Sequence, residues 1–169
     1  MSGVSAHGDL ETLPPAEVRK EAYTMALYVA ICLLAALAAV PDPIHGDGDV
    51  FLLIWGTTVG LTVAHLFAFQ VSARLVAEGR VRRHDTVATV AQLAGAIAVA
   101  LLATVPVVLL PTSSELDVVR IVLAGFITGV GFAVARGGGA STGRAARYAF
   151  LVLLMAGTIV ALKNFLIGH

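Results

Sequence analysis

Apolar positions in this chain form long continuous runs, not the spaced stripe of a surface helix. Between polar breaks the sequence reads as five such runs, about 22–40, 50–75, 87–110, 115–135 and 145–167. About 20 residues, rising ~1.5 Å each, cover a hydrocarbon core of roughly 30 Å. The pattern predicts an all-α membrane protein, a five-transmembrane-helix bundle. Residues 1–14 read as a mobile polar tail, and 15–169 as a single membrane domain.

The breaks carry start and stop signals. Pro14 and Pro15 suit a helix start, where a missing N–H costs nothing. Pro41 and Pro43 end the first helix. Asp85 or Thr86 is placed to cap the third, and Pro106 should kink it by stripping the Leu102 carbonyl of its donor. Thr112 and Glu115 form a capping box for the fourth. A glycine-rich turn, 136–144, leads into the fifth.

The second run, VFLLIWGTTVGLTVAHLFAFQVSARL, organises the expectation for the rest. Thr58, Thr62, His65 and Ser72 lie along one helical face, with Gln70 nearby. Gly56, Gly60, Ala64, Ala68 and Ser72 form a second, partly overlapping line of small residues four apart. Small residues let another helix approach, and lipid offers polar side chains no partner. Both features argue for a central second helix, packed through Gly56 and Gly60 against Gly125 and Gly129 of the fourth, within one chain or between chains.

Composition agrees with the runs: 58% of residues are hydrophobic and 13% charged, against about one quarter charged in soluble domains. The formal net charge of zero hides a segregation. Arg19, Lys20, Arg74, Arg80, Arg82, Arg83, Arg136, Arg144 and Arg147 fall on the side of the N-terminus. Asp42, Asp47, Asp49, Glu115 and Asp117 fall on the other. The positive-inside rule then predicts a cytoplasmic N-terminus, an outer C-terminus and a multi-pass location in the cell membrane. One cysteine, Cys32, excludes an intrachain disulfide.

Candidate chemistry centres on His65, in the cytoplasmic half of its span. Tyr28 and Gln92 fall at similar depth, so His65, Tyr28, Gln70 and Gln92 with the threonines form a possible polar seam. An intramembrane histidine marks either hydrogen-bonded packing or a proton or ion path. A haem would need a second axial histidine, which one chain does not supply at that depth. Arg120 and Lys163 are cations near the outer ends of their spans; a local pair of Arg120 with Asp117 and snorkelling of Lys163 weigh against a shared anion site.

Asp42, His45, Asp47 and Asp49 have metal-ligand chemistry, but their spacing matches no complete site. Segment 138–144 looks superficially like a phosphate-binding loop, yet it has Arg144 where Lys belongs, Ala145 where Ser or Thr belongs, and no preceding strand. No catalytic constellation, cofactor motif or nucleic-acid signature appears. The expectation is a membrane protein without enzymatic activity, cofactor or metal, partnered by the bilayer and by further copies or a larger membrane complex. Its role is that of a small channel or transporter using the seam, or of a non-transporting accessory subunit.

Overall fold

A computed structural model describes residues 14–40, 49–76, 83–110 and 112–167. They form five helices: α1 Pro15–Ala38, α2 Asp49–Val76, α3 Arg83–Leu109, α4 Thr112–Gly137 and α5 Thr142–Ile167. Four of them, α1 to α4, are long and apolar enough to cross a membrane. The tail and the acidic loop with Asp42, His45 and Asp47 lie outside the described residues, as do Arg80 and Arg82.

Local sequence sets the helix ends. Pro14 stands at the cap of α1, and its carbonyl accepts from the Glu17 and Val18 amides. α3 starts at Arg83, ahead of the expected cap, so Asp85 and Thr86 lie in its first turn. The Asp85 carbonyl accepts from the Thr89 hydroxyl there. α3 runs through Pro106 to Leu109. α4 begins at Thr112 itself, which places that residue in the first turn and not at a cap.

The turn between α4 and α5 is a Schellman motif. The Ala140 amide donates back to the Ala135 carbonyl, and the Gly139 amide to that of Arg136. Gly139 has φ of 79°, the left-handed conformation that glycine adopts without a Cβ clash. Gly138 and Gly139 therefore serve a tight reversal, with Arg136 also donating to the Ala140 carbonyl at 2.9 Å.

α1 runs antiparallel to α4 and parallel to α3. Arg120 near the start of α4 meets Leu37 at the end of α1. Gln92 near the start of α3 meets Glu21 near the start of α1. The hub of the bundle is α1, which touches all four other helices; α2, α3, α4 and α5 follow one another in an arc around it. This corrects the expectation that the second helix is central. Met25, Val29, Leu33 and Leu37 of α1 are fully buried, four residues apart, with Ala26 and Ala30 beside them. They pack on Ala96, Val99, Ala100 and Ala103 of α3, on Ile54 of α2, and on Leu123 and Ile127 of α4. In lipid such contacts act by close packing, since acyl chains are as apolar as leucine.

α1 and α3 approach closely at a glycine. A Cβ built on Gly95 would fall on the Ala22 carbonyl oxygen. The glycine pairs singled out from the sequence behave otherwise. Gly56, Gly60, Gly125 and Gly129 are exposed, and a Cβ on any of them would meet nothing within 4 Å. Within one chain, then, α2 and α4 do not pack through these glycines. Instead it is at Gly131, two residues after Gly129, that an added Cβ would meet Ala149 and Val152 of α5, at 3.3–3.4 Å.

Candidate functional site: the polar seam

α2 turns Val50, Ile54, Thr58 and Thr62 into the bundle, all buried, with His65 half-buried on the same line. That face is too polar for lipid, and the fold resolves the conflict by turning it inward. The small line of Gly56, Gly60, Ala64 and Ala68 consequently points outward, and all four are exposed. The two lines lie on different faces of the helix, so one chain does not bury both.

The seam residues are brought together in pairs. The rings of His65 and Tyr28 lie with centroids 6.0 Å apart and tilted by 39°. Gln92, 4% exposed, donates through Nε2 to Oε2 of Glu21 at 2.8 Å. Thr58 donates to the Ile54 carbonyl of its own helix at 2.7 Å. Thr62 is buried at 6% exposure, and among the described residues its Oγ1 has no hydrogen-bond partner; nor does Oε1 of Gln92. Gln70 and Ser72 do not join the seam: from Gln70 onward the described side chains of α2 are exposed.

Further polar links tie the helices nearer the opposite end. Trp55 donates its indole N–H to the Thr104 hydroxyl at 3.1 Å, linking α2 to α3, while Thr104 donates onward to the Ala100 carbonyl. Arg120 pairs with Asp117 at 3.0 Å, as the i,i+3 spacing anticipates. Its second terminal nitrogen donates to the carbonyls of Leu37 at 2.8 Å and Val40 at 3.3 Å. Those are carbonyls at the end of α1, where the helix dipole favours a cation. Arg120 therefore acts as a helix clamp. The Lys163 side chain lies outside the described residues.

Glu21, Trp55, Thr104, Gly95 and the capping role of Arg120 were not legible beforehand. Glu21 reads as one charge in the interfacial turn Arg19–Glu21, and nothing local aims it at Gln92. Gly95 sits in an alanine-rich helix without a GxxxG pair, so the motif drew attention away from the close contact within the chain. The one usable signal was Trp55 and Thr104 falling near the same end of adjacent spans, where a buried indole N–H needs an acceptor.

Among the described residues, no group of three or more His, Cys, Asp or Glu is placed to hold a metal. Two open apolar grooves are found away from His65. One of about 380 Å³ lies between α1 and α4, and one of about 310 Å³ lies on α3 beside Leu101, Thr104 and Val105. Comparison with known proteins finds no matching family model, no matching curated protein and no matching solved structure.

Proposed function

We propose that this protein is a non-transporting, multi-pass cell-membrane protein that works by lateral association, as a subunit or stabiliser of a membrane assembly. α5 forms a fifth span, with the N-terminus cytoplasmic and the C-terminus outside, in keeping with the segregation of Arg and Lys. The observation that carries the reading is the outward line Gly56, Gly60, Ala64, Ala68 on α2, exposed along about three turns and open at both glycines. A line of small residues facing lipid invites close approach by a second membrane helix, and the simplest such helix is the same one on another copy. Inside, Gln92 pairs with Glu21 and Trp55 with Thr104 across helices, as packing requires.

The test is energy transfer between donor- and acceptor-labelled chains in liposomes at fixed protein-to-lipid ratio. Transfer should be specific for the parent and lost in Gly60→Leu; equal transfer in both would remove the α2 face as the docking surface. Topology is tested separately. Cysteines at Gly46 and Gly138, in a Cys32→Ser background, should label from opposite sides.

A second reading is favoured by Thr62 Oγ1 and Gln92 Oε1, two buried polar atoms without partners among the described residues. Leaving such groups dry in a membrane is costly. Waters between them would create a narrow proton path past His65 and Tyr28, with the Glu21 carboxylate at its end. Proton flux into liposomes, present in the parent and abolished in a folded His65→Gln protein, would favour transport over association alone. Absence of flux in the parent would dismiss it.

A further inference from the structure

The groove between α1 and α4 has walls of different chemistry at its two ends. Its lining is Tyr23 of α1 with Phe126, Gly129, Val130, Ala133 and Val134 of α4. Gly129 and Ala133 give it depth, because they project little or nothing into it. Phe126 lies near the middle of α4 and Val134 one turn from its end, so the groove runs from mid-bundle to the end that carries the N-terminus.

Its shape suits a slender occupant. The eight residue steps from Phe126 to Val134 span ~12 Å at ~1.5 Å each. A volume of about 380 Å³ over that length makes a shallow furrow open on one side. A helix with its side chains is about 10–12 Å wide. A single acyl chain is thinner, and the groove covers the depth of one leaflet.

Its mouth carries charge. Arg19 lies four residues before Tyr23 on the same face of α1, and Arg136 three residues after Ala133 on α4; both are exposed. The chain has no acidic residue after Asp117, so Arg136, Arg144 and Arg147 meet no carboxylate from α5 or the turn before it. On α1, Glu21 is engaged by Gln92 and Glu17 lies about 160° around the helix from Arg19. Arginine pairs well with phosphate, and basic residues at a membrane surface attract anionic headgroups.

We propose that this groove is a binding site for one anionic phospholipid of the leaflet at the N-terminal end, its acyl chain lying against Gly129 and Ala133 and its phosphate between Arg19 and Arg136. The inference rests on membrane embedding and is independent of docking through α2.

The test is native mass spectrometry of the detergent-purified protein with equal amounts of phosphatidylglycerol and phosphatidylcholine of the same chain length. The parent should retain the anionic lipid with a preference of about fivefold or more, as expected for ~1 kcal/mol per surface arginine. The double variant R19Q/R136Q, changed only at exposed positions, should lose that preference. Gly129→Leu fills the groove from a position with open space around it, and should lower retention of both lipids. Should Gly129→Leu fold poorly, Tyr23→Ala removes the opposite wall and should weaken retention likewise. Equal retention of the two lipids by the parent, or a preference that survives R19Q/R136Q, would overturn the proposal. So would a disulfide-linked dimer of Ala133→Cys in the Cys32→Ser background, which would place a second copy in the groove.

Discussion

Gly60 and Gly95 sit in neighbouring helices, yet they meet opposite surroundings. Gly95 is buried with the Ala22 backbone where its Cβ would be; Gly60 is exposed, with nothing within 4 Å. What separates them is the rest of each helix. On α3 the small face (Ala88, Ala91, Gly95, Ala96, Val99) coincides with the face that carries Gln92, so small and polar residues turn inward together. On α2 they lie on different faces, and the polar line Thr58–Thr62–His65 takes the interior. A polar side chain stranded in lipid costs more than a packing opportunity left unused. Small residues show where close approach is possible, and polarity decides which face is used.

The comparison predicts a large difference between the two glycines. Gly95→Leu should destabilise the fold by about 3 kcal/mol or more, at the upper end for overpacked cores, because the obstructing atoms are backbone and have no rotamer to adopt. Thermal unfolding in detergent measures it. A loss below about 1 kcal/mol would mean that α1 and α3 are not locked at Ala22.

The α3 face depends on its polar link as well. Gln92→Leu keeps the volume but strands the Glu21 carboxylate, and should cost about 1–2 kcal/mol in the same assay, near the range for interhelical polar contacts. Glu21→Gln should recover most of the stability in the double variant, since an uncharged amide is easier to leave unpaired. A double variant no better than Gln92→Leu alone would break the link between the two residues.

The smallest effect is expected on α2. Gly60→Leu should change the unfolding of the isolated chain by less than about 0.5 kcal/mol, as for substitutions away from packed contacts. A loss comparable to that of Gly95→Leu would show that Gly60 is packed and erase the distinction.

Much of this architecture was legible in the sequence. The five helices follow from apolar runs and their proline, glycine and charged breaks, which are local. The inward aim of Thr58, Thr62 and His65 was legible too, because lipid forbids the alternative. The centre of the bundle was not. α1 becomes the hub through Met25, Val29, Leu33 and Leu37, ordinary apolar residues that look the same facing lipid or protein. In a soluble chain hydrophobicity would mark the buried side; inside a bilayer that signal vanishes, and only polar or very small residues retain it. The Glu21–Gln92 and Arg120–Leu37 links span 71 and 83 residues in sequence, so no local pattern announces them.

The inward and outward faces of α2 are separated most directly by cysteine scanning along that helix in native membranes, with Cys32 replaced by Ser and copper-phenanthroline as oxidant. Cysteines at Thr58, Gly60, Thr62 and Ala64 sample both faces in turn. Disulfide-linked dimers are expected from Gly60→Cys and Ala64→Cys, with little from Thr58→Cys and Thr62→Cys, because the proposed docking brings the exposed small line to a second copy while the threonines are buried within the chain. Cross-linking at Thr58 and Thr62 with none at Gly60 and Ala64 would contradict both the orientation of α2 and its role as the docking face.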